Sequence, residues 1–308
     1  MDYVKENLKD NDQDNVQDYA QAYAHKIDLH THTIYSGHAV NSIEDMVESA
    51  RKKGIRLYGF TDHTKTMPDS SGDEYFKRLV REKEEIKKLG KKIIVNSGNV
   101  ATDNENNKGN EVEGNKSACH EITDNEIIVL VGSELNIISY DGKVDMDEDI
   151  LKGLDYNIAS IHPNIGYTTG SVKENTRAYI GAMKNPYVNI IGHPDDGRIE
   201  VDYEEFVKAA KEYGTIIELN NNSLNPEGFR PNTVENSTVI LGLCEKYGVE
   251  ILIGSDAHRE QDVGRHERAE GLIDKIGFPK ELVLNYDVER CMKRLKGVKK
   301  YKVRALIY

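Results

Sequence analysis

Tryptophan is absent from the 308-residue chain, and its 17 tyrosines point by themselves to no particular function. Cysteine occurs three times, as Cys119, Cys244 and Cys291, with no CxxC pair and one thiol left over. That pattern excludes a disulfide framework and a cysteine zinc finger, and it fits a reducing cytoplasm. No apolar run approaches the length that spans a bilayer. The opening MDYVKENLKDNDQDNVQDYA is charged and lacks an apolar core, so no secretory signal is expected and the protein should be soluble and cytoplasmic. Positive charge is scarce too: 41 Lys and Arg face 53 Asp and Glu, a formal charge of -12. Binding to nucleic acid mainly by phosphate neutralisation is therefore not expected, although local basic pockets stay possible.

What is present suffices for one large domain, since 38% of residues are hydrophobic and alpha/beta barrels reach this size undivided. Residues 1–25 read as a polar, acidic extension, with Tyr19 and Tyr23 at helical spacing and able to dock on the body. The domain proper is expected over 26–298, with a tail at 299–308. Within it, strand-length apolar runs (KIDLHTHT, RLYGFTDH, IIVLVGSELNI, LDYNIASIH, VNIIGHP, TIIELNNNS, VEILIGSDAH) alternate with amphipathic stretches such as SIEDMVESARKKG and DYEEFVKAAKEYG. Ser42 with Asp45 forms a capping pair, and Gly54, Gly90, Gly214 and Gly248 mark helix ends. Continuous apolar strands joined by helices imply a parallel sheet covered on both faces, closed or nearly closed into a barrel. Asn96 to Glu126 breaks the rhythm. It is rich in Asn, Gly and Glu, too poor in apolar residues to pack, and is expected to be a mobile surface insertion. Cys119 and His120 within it make a poor ligand set.

The histidines cluster at strand ends. His30 and His32 close the first run, His63 the second, His162 the fourth, His193 the fifth, and Asp256 with His258 the seventh; Glu134 ends the third and His38 follows the first. Only His25, His120 and His266 fall outside this pattern. In a parallel barrel all strand C-termini open on one face, so these residues should converge there. Side chains at i and i+2 on a strand share a face, so His30 and His32 pair, as do Asp256 and His258. Imidazoles gathered near a carboxylate suit a divalent cation, whereas the same cluster without one would bury poorly satisfied polar groups.

These elements, DLHTHT, His38, TDH (61–63), GSE (132–134), SIH (160–162), GHP (192–194) and GSDAH (254–258), match in order the motifs of the polymerase and histidinol phosphatase (PHP) superfamily. The resemblance runs from Lys26 to about Leu295. Within the superfamily the chain resembles the stand-alone bacterial phosphatases of the YcdX type. The resemblance implies a distorted (β/α)7 barrel, similar to a TIM barrel, with a trinuclear site. It implies one metal on His30, His32, Glu134 and Asp256, a second on His38, His63 and His258, and a third on Glu134, His162 and His193. Glu134 then bridges two ions, and Glu134, Asp256 and His258 are the implied catalytic residues. The implied cofactors are three divalent ions, zinc first, with manganese or iron as alternatives. The implied activity is hydrolysis of small phosphomonoesters by a metal-activated hydroxide. HPDDGR after His193 departs from the family, where a Gly soon follows the Pro.

Three other readings stand beside this one: a histidinol phosphatase, an amidohydrolase-type metallohydrolase, and a non-catalytic module of the polymerase-associated kind. Asn220, Asn221 and Asn222, ending the only run without a ligand, are candidates for orienting substrate or ligands. Arg198 and Lys65 are candidates for phosphate contacts from loops.

Overall fold

The computed structural model describes residues 27–91 and 126–305, with side chains as far as residue 297. The N-terminal extension, with His25, and the Asn96–Glu126 insertion up to residue 125, with Cys119 and His120, lie outside the described residues.

Strands and helices alternate as the apolar runs suggest. Strand β1 (Ile27–Asp28) leads to α1 (Ile43–Lys52), β2 (Leu57–Phe60), α2 (Asp73–Lys88), β3 (Ile128–Asn136) and α3 (Glu148–Gly153). Then come β4 (Tyr156–Ser160), α4 (Val172–Lys184), β5 (Ile190–Ile191), α5 (Tyr203–Tyr213), β6 (Ile216–Asn220), α6 (Thr233–Tyr247), β7 (Ile251–Gly254), α7 (Glu267–Ile276) and α8 (Val288–Ala305). Helix α8 thus runs across residues 299–305. The seven strands form one parallel sheet in chain order, rolled into a nearly closed barrel.

The helices start and stop where local chemistry dictates. In α1, Ser42 and Asp45 form a reciprocal capping box, and Ile43, Met46, Val47 and Ala50 share the buried stripe. Asp202 caps α5 through the Glu205 N–H, and Gly214 ends it in the left-handed conformation.

Two apolar clusters hold the barrel. The larger lies between sheet and helices. The smaller draws Leu57, Leu130, Tyr156, Ile158, Ile190, Ile216 and Leu252 from β2 to β7, and Leu284, Cys291 and Leu295 from the C-terminal segment. The interior is therefore plugged at the end opposite the strand C-termini. Tyr156 donates to the Leu29 carbonyl (2.7 Å), and a methyl group added at Gly59 would collide with its hydroxyl.

The seam between β1 and β7 carries no regular ladder. At one end, the Asn285 side chain donates to the Ile27 and Ile253 carbonyls and accepts the Ile253 N–H. At the other, His32 N–H donates to Ala257 O and Asp256 N–H to His30 O, both at 2.8 Å. Among the described residues, no helix is long and apolar enough to cross a membrane.

Gly59→Ala should lower the free energy of unfolding by about 1–3 kcal/mol, because Tyr156 is buried on all sides and has nowhere to retreat. A fall in the urea midpoint with an unchanged slope would show this; an unmoved midpoint would mean that the interior yields at this point.

Candidate metal centre

All nine residues singled out from the sequence meet at the C-terminal mouth of the barrel. Glu134 lies within β3, and the others follow their strands, so the regular pairing stops short of the imidazoles. Alternation explains most of their directions. Leu130, Gly132 and Glu134 share the inner face of β3, as do Tyr156, Ile158 and Ser160 of β4 with His162 beyond them. Two residues depart from it. Leu29 and His30 are consecutive and both face inward, because β1 has ended at Asp28. His193 follows the outward Ile191 by two positions yet reaches Glu134, and its positive φ of 28° turns it inward. Asp256 also has a positive φ, 54°. Such backbone costs about 1–3 kcal/mol per residue and persists only where neighbours hold it. Here Glu218 accepts the His193 N–H at 2.8 Å and the His30 carbonyl accepts that of Asp256.

Glu134 is the centre of the arrangement. Its Oε2 lies 2.9 Å from His63 Nδ1, 3.4 Å from His30 Nε2 and 3.5 Å from His32 Nε2. Its Oε1 lies 2.9 Å from His193 Nε2 and 3.4 Å from His162 Nε2, and accepts Ser160 Oγ at 2.7 Å. One carboxylate thus faces two groups of imidazoles. Asp256 Oδ1 stands 3.3 Å from His32 Nε2 and 3.7 Å from His30 Nε2. His38 and His258 meet through their Nε2 atoms at 2.9 Å near the rim.

Four of these imidazoles have their Nδ1 occupied. His30 Nδ1 bonds Glu218 Oε1 (2.6 Å), His162 Nδ1 bonds Asn136 Oδ1 (2.8 Å), and His258 Nδ1 bonds the Asp256 carbonyl (2.9 Å). His32 Nδ1 bonds Ser36 Oγ (3.0 Å), whose own proton goes to Asp62 Oδ1. An Nδ1 that donates leaves Nε2 with its lone pair facing the cluster when the ring is neutral, the arrangement seen in metal-ligating histidines. His30 Nε2, His32 Nε2, His63 Nδ1 and Glu134 Oε2 are buried without a hydrogen-bond partner. Buried polar atoms in such number need an explanation, and a divalent cation held by nitrogen and oxygen donors supplies it.

Three sets lie within coordinating reach: His30, His32 and Asp256; His32, His63 and His258; and His63, Glu134 and His162. They overlap the partition implied by the family resemblance, but His32 and His63 each join two sets, Glu134 joins one, and His38 and His193 join none.

Charge follows geometry. Burial opposes charge on Glu134 and Asp256, but His63, His30 and His162 around the first, and His30, His32, His258 and Arg230 around the second, hold both carboxyls well below the usual range. Burial, with His258 and His63 nearby, pushes His32 down, and the same three causes bring His38 to about 4. Burial also lowers His162. His30 goes the other way: burial is outweighed by Glu218, Glu134 and Asp256, which raise it well above the normal histidine value. Without a cation, Glu218, Glu134 and Asp256 thus favour the protonated form of His30.

Glu218 and Arg230 join the centre although no motif in the sequence marks them. Glu218, in the middle of β6, holds the His30 ring and the His193 backbone and accepts Asn220 Nδ2, while Gly254 gives its carboxylate room. A glutamate within IIELN breaks the apolar run, and that was the available signal. Arg230 donates to Ser223 Oγ at 2.8 Å and lies 3.4 Å from Asp256 Oδ2. Among the secondary candidates, Asn220 braces Glu218 and Asp256, and Asn222 and Arg198 line the cavity; Lys65 pairs with Asp73 away from it.

A barrel whose mouth gathers imidazoles around buried carboxylates defines a candidate metal-binding barrel protein. More specifically, the chain belongs to the PHP domain family, whose model matches residues 28–224. It is 40% identical to a probable phosphatase of Caldicellulosiruptor bescii, over 88% of this chain and 95% of that one. It is 34% identical to a probable phosphatase of Clostridium novyi, over 90% and 96%. Among solved structures, histidinol phosphate phosphatase from Lactococcus lactis subsp. lactis, complexed with zinc, L-histidinol and phosphate, superposes with a TM-score of 0.51 at 18% identity, covering 83% of this chain and 95% of that one. At that identity the likeness concerns the fold.

Glu218→Gln should weaken metal affinity about 10- to 100-fold, because His30 loses the carboxylate that orients it; competition with a chromophoric chelator measures this, and unchanged affinity would remove Glu218 from the site. Metal uptake near pH 7 should also release a proton from His30, whose raised pKa keeps it charged in the metal-free protein and whose ligating form is neutral. Calorimetric titration in two buffers of different ionisation enthalpy reads the proton count; identical heats would contradict the charged His30.

Proposed function

We propose that the protein is a metal-dependent phosphatase that hydrolyses small phosphomonoesters at a trinuclear site. The observation that carries this reading is Glu134, whose two oxygens face separate imidazole groups. A carboxylate can serve two cations at once, and a neutral imidazole cannot. The proposed ligands are His30, His32, Glu134 and Asp256 for one ion, His38, His63 and His258 for the second, and Glu134, His162 and His193 for the third. Zinc is proposed first, with manganese or iron as alternatives.

Lewis acidity toward the phosphoryl oxygens, and water acidic enough to yield hydroxide near neutrality, are what such cations bring. The chain's own residues do the rest. Glu134 and Asp256 keep their negative charge in a buried place because the imidazoles and Arg230 stabilise it. Arg230, only 9% exposed, lines the cavity beside Asp256, where a guanidinium can take phosphoryl oxygens and offset the charge that spreads over them. His258 presents Nε2 at the cavity wall, fixed by its Nδ1 bond to the backbone.

The amidohydrolase-type reading is disfavoured. It calls for eight strands and a bridging modified lysine, whereas the described residues form seven strands and, among them, no lysine lines the cavity. The names of the relatives at 34% and 40% identity support the phosphatase reading over both that one and a non-catalytic module.

Elemental analysis combined with a panel of phosphomonoesters, histidinol phosphate and cyclic amides tests the proposal. Metal-replete protein should turn over phosphomonoesters, and a chelator should stop it. Glu134→Ala should reduce both metal content and rate, the rate by at least about three orders of magnitude. Turnover of cyclic amides alone, or a fully loaded and active Glu134→Ala variant, would overturn the reading.

A further inference from the structure

Resting on the phosphatase reading, we infer that the substrate carries a second anionic group, a carboxylate or another phosphate, which Arg259 and Arg268 bind on the outer wall of the cavity. The cavity measures about 600 Å³, in the range that holds a whole small ligand and more than one phosphoryl group needs. Five arginines and no lysine line it, against the grain of a chain whose formal charge is -12. Three of the five are committed: Arg198 to Asp196, Arg230 to Asp256 and Asp196, and Arg265 to Asp262. Arg259 and Arg268 line the same cavity, and their side chains have no ion pair or hydrogen bond among the described residues.

Depth separates the two roles. Arg230, 9% exposed, lies beside the proposed ligand Asp256, where the phosphate to be cleaved must come. Arg259 and Arg268 are exposed and stand farther out. Both are also placed by the framework of the site. Arg259 directly follows His258. The Arg268 N–H, with that of Ala269, donates to Asn221 Oδ1 at 2.9 and 3.1 Å, which ties the first turn of α7 to the end of β6. Two guanidiniums carried on backbone so placed, with their donors unspent, match the planar oxygens of a carboxylate or a phosphate. A ligand with one anion at the metal centre and another at this wall satisfies both.

Three phosphonates that cannot be hydrolysed test this by calorimetry on zinc-loaded protein: propylphosphonate, 3-phosphonopropionate and propane-1,3-diylbisphosphonate. At least one of the doubly anionic probes should bind at least about tenfold more tightly than propylphosphonate, and which one does so identifies the second group. The Arg259→Gln/Arg268→Gln variant should bring that advantage to within about twofold. A matching melting temperature excludes unfolding as the cause. Equal binding of the three probes, or a preference that survives in the variant, overturns the inference and leaves the phosphatase reading standing. Failure of every phosphonate to bind, with no phosphomonoester turned over, overturns both.

Discussion

A single buried carboxylate, Glu134, organises the mouth of this barrel. An isolated carboxylate in such a place would neutralise itself by taking up a proton. Glu134 is instead surrounded by imidazoles contributed after β1, β2, β4 and β5, and their proximity keeps it ionised. The barrel is the means of assembling them, since the C-terminal ends of its parallel strands open on one face and so bring residues far apart in the chain around one acid.

Proximity alone would leave the rings free to rotate, and the supports remove that freedom. Glu218, Asn136, the Ser36–Asp62 pair and the Asp256 carbonyl each hold one Nδ1, so the other nitrogen is aimed before any ligand arrives. Asp62 is itself saturated by the Thr33 N–H, Thr33 Oγ1, Ser36 Oγ and Tyr75. Preorganisation of this kind is what separates a ligand set from a mere collection of histidines.

Much of this was legible in the amino-acid order. Apolar runs of strand length between amphipathic stretches revealed the parallel barrel, and the strand period of two pointed to paired side chains in HTH and DAH, although both lie past the last strand residues, Asp28 and Gly254. Less visible were features that depend on neighbours in space. Glu218 read as one polar residue in the strand without ligands, and only the approach of β1 shows that it grips His30. The inward turn of His193 depends on a left-handed backbone that no spacing rule anticipates. Of the five arginines that line the cavity, Arg198 alone was legible, because the others come from separate loops and from the first turn of α7. The proposed boundaries at 26 and 298 rest on composition.

The seam between β1 and β7 has one further meaning. Among the described residues, the backbone hydrogen bonds that join the ends of the first and last strands lie at His30–His32 and Asp256–Ala257, so the catch that shuts the barrel and the cluster of metal-seeking groups are one place. Cations seated there would rivet the two ends of the fold together, and binding energy would count directly as resistance to unfolding. Scarcity of metal would then weaken the molecule as well as silence it, and would leave the starved form open to proteases along that line.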